Sequence, residues 1–113
     1  MAADEALTTR IRDALARTAN VEESTLFGCA CFFLDGNVLV GVWYDALIAR
    51  VGPDESEAAL REPFVRAFDI TGKPMRNWVA VEPEGVEDDD QLRGWIQRAE
   101  AFVGTLPAKR KDK

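Results

Sequence analysis

Residues 25–51 read TLFGCACFFLDGNVLVGVWYDALIARV. Three runs of apolar, β-branched or aromatic residues are separated by two short breaks, Asp35-Gly36-Asn37 and Asp45-Ala46. Asp, Gly and Asn accept the positive φ that tight hairpin turns require. The stretch therefore predicts a three-stranded antiparallel meander, with helices before and after it.

The composition is that of one globular domain. The chain has 113 residues, 47% of them hydrophobic and 30% charged, which is enough to bury a core without disulfides or metal. We predict a single domain over residues 1–107 and a basic, disordered tail over residues 108–113. No apolar run approaches the roughly 20 residues of a membrane span, and residues 1–5 do not open a secretory signal. We therefore expect a cytoplasmic protein with no membrane partner.

The charge of the chain is unevenly distributed. The net charge is −6, and residues 109–113 carry four positive charges and one negative charge, so the remainder carries −6 − 3 = −9. Nucleic-acid binding depends largely on Lys and Arg side chains that displace counterions from phosphates. We therefore expect no direct nucleic-acid binding by the folded body.

The two cysteines, Cys29 and Cys31, are predicted to be small buried side chains. On a strand they would project from the same face, with Cα atoms roughly 6.5 Å apart, near the outer limit for a disulfide. The chain has no histidine, so a zinc site would have to recruit carboxylates. We predict no metal and no cofactor.

Apolar periodicity predicts helices on both sides of the meander. A repeat of four, at Leu7, Ile11 and Leu15, predicts a first helix over residues 4–18 that ends near Asn20. Asp54 is predicted to cap a second helix over residues 54–60.

The last helix has the most regular apolar stripe. It is predicted to begin in the acidic run at residues 87–90, whose carboxylates suit a helix N-terminus better than a calcium loop, and to end at Pro107. The stripe consists of Leu92, Trp95, Ile96, Ala99, Phe102, Val103 and Leu106.

A second hairpin is predicted from residues 64–70 and 75–82, joined by a turn at residues 71–74. The order is therefore α-β-β-β-α-β-β-α, an α+β fold in which helices pack on an antiparallel sheet. The meander strands are apolar on both faces, so either the helices cover both faces or a homodimer covers one of them.

The sequence contains no spacing typical of a catalytic site. Without histidine, the usual activation of a Ser or Cys nucleophile is missing. Gly72-Lys73 lacks the other residues of a phosphate-binding loop. We predict that the protein is not an enzyme.

Two arginines lie in otherwise apolar strands, Arg50 and Arg76. A charge in such a strand needs a partner or an exposed edge. Two interpretations stay open. One is a structural ion pair with Asp69 or Asp45, and the other is an anion-binding site formed by Arg50, Arg76 and Lys73, because the planar guanidinium suits carboxylates.

Five groups of residues carry a family resemblance: LFG at residues 26–28, Phe32 with Asp35-Gly36, LIARVGP at 47–53, FDITGKPMRNWV at 68–79, and Leu92 with Trp95. They resemble the TfoX N-terminal domain family, in which a Met-Phe-Gly-Gly segment precedes the meander and DFTGrPMrgWVyV forms the later hairpin. The chain departs from that pattern with Leu26 for Met, Cys29 for the second Gly and Asn77 for Gly.

The resemblance extends from about residue 10 to residue 107. It implies an α+β domain of the secretion-chaperone-like type, in agreement with the element order above. Family members with a second, C-terminal domain are linked to the regulation of natural competence, and we expect a single-domain member that lacks this second domain. The resemblance implies no catalytic residues.

These observations favour a non-enzymatic protein-interaction or regulatory domain, which we expect to form a homodimer and to bind a protein partner. The alternative is a domain that binds a small anionic ligand through Arg50 and Arg76.

Overall fold

The computed structural model describes residues 5–26, 29–68 and 77–108. The helices are α1 (Glu5–Ala14), α2 (Pro53–Ala59) and α3 (Asp89–Val103), with a 3₁₀ turn at Pro83–Val86. The strands are β1 (Val21–Leu26), β2 (Cys29–Leu34), β3 (Asn37–Trp43), β4 (Ala46–Arg50), β5 (Val65–Ala67) and β6 (Trp78–Val81). The predicted α+β fold is confirmed, and the predicted elements occur in the predicted order.

All six strands form one antiparallel sheet in the order β1-β2-β3-β4-β6-β5. The predicted meander is β2, β3 and β4. Its first turn uses Asp35 and Gly36 with φ values of 52° and 84°, the two positive values of a type I′ turn. β5 and β6 pair as the predicted second hairpin, whose turn residues lie outside the described residues.

Strand β1 is an addition to the predicted order. Residues 21–24 lie between the predicted first helix and the predicted meander, yet they belong to a strand that pairs with β2 from Val21 opposite Leu34 to Leu26 opposite Cys29. Residues 22–25 are exposed, so this edge strand has no alternation of apolar and polar residues. Its conformation depends on the hydrogen bonds that β2 offers.

The main core lies between the helices and one face of the sheet. Helix residues and strand residues contribute to it in comparable numbers. They are Leu7, Ile11, Leu15, Ala59, Leu92, Trp95, Ile96, Ala99 and Val103 from the helical segments, and Phe32, Leu39, Val40, Val42, Leu47, Ala49, Val79 and Val81 from the strands. Burying each large side chain of the α3 stripe contributes about 1.5–3 kcal/mol in transfer terms.

A β-bulge interrupts the alternation of side chains between the two faces of the sheet along β3. Phe32 pairs with Val40 and Phe33 pairs with Val38, which leaves Leu39 as the extra residue. In a regular strand, the successive residues Leu39 and Val40 would face opposite sides of the sheet. Instead both are fully buried in the main core.

The opposite face of the sheet carries a smaller core. Ile48, Phe68 and Ala80 are buried there, and Trp43 and Trp78 pack against them. No helix residue among the described residues belongs to this group. The helices therefore cover one face only, and aromatic side chains cover part of the other.

The helix ends correct two predictions and confirm one. α2 begins after Gly52 with Pro53 in its first position, so Asp54 lies inside the helix and does not cap it. Asp88 caps α3 in a capping box with Gln91, as expected for the acidic run. α1 ends at Ala14 rather than near residue 18 as predicted, and Asn20 lies in the turn before β1 with a left-handed backbone, φ 67°. Among the described residues, no helix has the length and apolar character needed to cross a membrane.

We expect Gly52→Ala to destabilise the fold by about 2–3 kcal/mol. Gly52 has φ 93°, and a Cβ atom there would lie 2.6 Å from Cδ1 of Phe102 in α3. Urea denaturation followed by circular dichroism would measure the loss. Unchanged stability would mean that α2 and α3 are not in this close contact.

Candidate functional site

Arg50 lies at the end of β4, opposite Trp78 of β6. Its Nη1 donates to the Val38 carbonyl at 3.4 Å, and its guanidinium carbon lies 5.9 Å from the centre of the Phe102 ring. Its Nε is buried and has no hydrogen-bond partner among the described residues. Arg50 is thus held by an aromatic ring and one long hydrogen bond.

The structural ion pair predicted for Arg50 does not form with Asp45. Among the described residues, no carboxylate lies within 4 Å of the guanidinium, and Asp45 precedes the opposite end of β4. Asp69, the other predicted partner, lies outside the described residues, as do Lys73 and Arg76. The structure therefore places one member of the predicted anion site, Arg50.

A depression of about 440 Å³ lies beside this region, over the start of α2 and the end of α3. Arg50 is not part of its lining, which includes Asp54, Glu55 and the Glu-paired Arg98. Its ionisable lining is thus mainly acidic. This depression does not offer Arg50 a place to hold an anion.

An aromatic cluster marks the helix-free face of the sheet: Trp43, Tyr44, Phe68 and Trp78. Trp43 contacts Tyr44 and Phe68 edge-on, at centroid distances of 5.1 and 5.8 Å, and Phe68 lies 5.9 Å from Trp78. Such contacts fix the ring orientations. Tyr44 is 58% exposed and occupies the β3–β4 turn with φ 58°, a conformation that is unusual for a bulky residue.

A groove runs between α3 and the segment that leads into β5. We call it the α3 groove; its volume is about 270 Å³. Its lining includes Pro63, Phe64, Gln91, Gly94, Trp95 and Arg98, and it also has the carboxylates of Glu62 and Asp90.

Phe64 stands at the edge of this groove. Its side chain is 50% exposed, and its backbone is left-handed, with φ 67°. The sequence analysis did not select Phe64 or Gly94. The available signal was a glycine inside an otherwise regular helix pattern, which often has a packing or functional reason.

Arg98 links α3 to both ends of the α2 region. Its Nε donates to Glu55 at 2.7 Å, its Nη2 lies 2.9 Å from Glu62, and its guanidinium stacks 4.1 Å from the centre of the Trp95 ring. Burial works to lower the pKa of Arg98, but the hydrogen bonds to Glu62 and Glu55 outweigh it and raise the pKa. Arg98 is therefore a fixed, paired cation.

A second ion pair ties the edge strand to α1. Arg12 donates two hydrogen bonds of 2.8 Å to Glu23. The hydrogen bond lowers the pKa of Glu23 and raises the pKa of Arg12. Because the folded-state pKa of Glu23 is lowered, this side chain stabilises the fold at pH values above its unfolded-state pKa. That stabilisation is lost as the pH falls through the folded-state pKa. Both side chains are exposed, so solvent screens the pair.

The remaining expectations concern cysteine and metal chemistry. Cys31 is buried, as predicted, and the side chain of Cys29 lies outside the described residues. Within residues 5–26, 29–68 and 77–108, no cluster of three carboxylate or thiol side chains could hold a metal ion.

The described part of the chain defines an α+β domain with one antiparallel sheet, helices on one face and an aromatic cluster on the other. The chain belongs to the TfoX N-terminal domain family, whose model matches residues 13–103. This membership confirms the resemblance seen in the sequence motifs. No curated protein and no solved structure matches the chain.

We expect Arg98→Met to lower the free energy of unfolding by about 1–2 kcal/mol, because it removes two partly exposed ion pairs and one cation–π contact. The difference from wild type should shrink in 1 M salt. Arg93→Met is the matched control, since Asp90, which is exposed, is the one ion-pair partner of Arg93 within the described ranges; it should cost less than about 0.5 kcal/mol. Equal effects of the two variants would contradict the bridging role of Arg98.

We expect Gly94→Ala to raise the free energy of unfolding by about 0.5–1 kcal/mol. A Cβ atom at this position would meet no atom within 4 Å, so alanine adds helix propensity without a clash. Urea denaturation of Gly94→Ala and Gly52→Ala compares the same substitution at two positions. The free energy of unfolding should rise in the first variant and fall in the second. A loss of stability in Gly94→Ala would show that the helix needs glycine for its own packing.

Proposed function

We propose that this domain is a non-enzymatic protein-interaction module with a regulatory role, which acts in the cytoplasm as a homodimer. The observation that carries the proposal is the exposed ring of Tyr44, held in a left-handed turn against Trp43. Holding a bulky residue in this backbone conformation costs on the order of 1–2 kcal/mol. Aromatic side chains are enriched at protein interfaces.

The aromatic cluster is the proposed dimer interface. It lies on the sheet face that the described helices do not cover, and Trp43 and Trp78 are only half-buried there. A two-fold partner would bring the same surface of the second copy against it. Its rings are preordered by edge-on contacts, which reduces the entropy lost on association.

The small-anion alternative has one supporting observation, the unbonded and buried Nε of Arg50. Yet Arg50 does not line the neighbouring depression, whose own carboxylates would repel an anion. The interaction function is therefore the better supported of the two.

We expect light scattering of the purified protein to give about twice the 12.5 kDa of one chain, falling toward the monomer mass on dilution. Tyr44→Asn should weaken dimerisation by about tenfold or more, which corresponds to about 1.4 kcal/mol or more. Asparagine tolerates the left-handed backbone, so folding should be retained.

Phe64→Asn is the matched control for this experiment, because Phe64 is also an exposed aromatic residue in a left-handed backbone. It lies outside the aromatic cluster and should leave the dimer unchanged. A wild-type monomer at every concentration would overturn the homodimer. Dissociation by Phe64→Asn alone would place the interface elsewhere.

A further inference from the structure

The strained conformation of Phe64 has a structural support built around it. Its carbonyl accepts a hydrogen bond from the Glu82 amide at 2.7 Å. Gly85 allows the segment to approach, since a Cβ atom there would lie 3.3 Å from the Phe64 Cβ and 2.6 Å from Cγ1 of Val81. Asparagine would suit the same backbone better. The fold therefore holds an aromatic ring at the surface where a polar residue would cost less.

Gly94 is the second unusual feature of the same groove. Glycine in a helix interior lowers stability relative to alanine, and no atom lies within 4 Å of the position that its Cβ would occupy. Packing among the described residues does not require glycine here. Its absent side chain leaves the α3 backbone open to an approaching molecule, next to Trp95.

The charges around the groove favour a basic occupant. Glu62 and Asp90 lie in its lining and pair with Arg98 and Arg93; with Glu55, the second partner of Arg98, these side chains sum to −3 + 2 = −1. The chain outside residues 109–113 carries a net charge of −9. A phosphate or carboxylate ligand would be repelled, whereas Lys or Arg side chains would be attracted.

The size of the groove suits one side chain. Its volume of about 270 Å³ lies below the range of about 300–1,000 Å³ typical of small-molecule sites. An apolar or aromatic anchor that fills such a slot, surrounded by charged contacts, is a common arrangement in protein recognition.

We propose that the α3 groove binds a basic peptide segment of a partner protein, with one aromatic or large aliphatic side chain seated over Gly94 between Phe64 and Trp95. This inference rests on the proposed interaction function, and it concerns a surface separate from the aromatic cluster. The flanking Lys or Arg side chains of the segment approach Glu62 and Asp90.

The test uses three fluorescein-labelled peptides and fluorescence anisotropy with the full chain. The first is Ala-Lys-Arg-Trp-Lys-Arg-Ala, the second replaces its Trp with Ala, and the third replaces its four basic residues with Glu. We expect the first peptide to bind more tightly than either of the others, and its binding to weaken as salt rises. Equal binding of the first two peptides, or of the first and third, would overturn the proposal.

Variants locate the binding site. Gly94→Leu fills the groove and should weaken binding of the first peptide by more than about tenfold, while the melting temperature does not fall. Thr9→Leu is the matched control, because it adds the same side chain at an exposed position of α1 outside the groove. Unchanged binding by Gly94→Leu would overturn the proposed site.

The two aromatic variants separate this inference from the homodimer. Phe64→Asn should weaken peptide binding and keep the dimer, whereas Tyr44→Asn should weaken the dimer and keep peptide binding. If the wild-type protein is monomeric but binds the first peptide, and Gly94→Leu weakens that binding, the homodimer proposal is overturned and the groove proposal is kept. Loss of peptide binding in Tyr44→Asn alone would overturn the assignment to the groove.

Discussion

The contact between the apolar stripe of α3 and the central strands β3 and β4 is the interaction on which the rest of the fold depends. Removal of such side chains from water is the dominant favourable term in folding. A helix is about 10–12 Å wide, whereas neighbouring strands lie about 4.8 Å apart, so one helix covers roughly two strands. α1 and α2 are therefore needed on either side of α3 to cover more of this sheet.

The position of α3 restricts which side chains fit in the segments that pack against it. The chain enters α2 directly beneath the Phe102 ring, and the short distance there leaves no room for a side chain on Gly52. Arg98 then connects α3 to Glu55 and Glu62 across the α2 region. These contacts join segments that are 36 to 50 residues apart in the sequence, so they act only once the main core has formed.

Three positions depart from the local rules of stable structure. Tyr44 and Phe64 hold bulky rings in left-handed backbone, and Gly94 lowers helix propensity where the fold has room for a side chain. Departures from local rules are expected at functional or strained sites. The three positions define two surfaces, the aromatic cluster and the α3 groove, and this separation allows self-association and partner binding to be distinguished.

The sequence by itself determined the features that depend on neighbouring residues. The short apolar runs and the Asp35-Gly36 turn specify the meander, and the helical period of the α3 stripe specifies the face that is buried. Only the tertiary structure decided the features that depend on distant partners. Strand β1 exists because β2 offers it hydrogen bonds, and the bulge at Leu39 follows from the register with β2. Likewise, Phe64 and Gly94 line one groove only because the fold places the segment before β5 next to α3. The two residues are 30 positions apart, so the local sequence carries no signal that they are close.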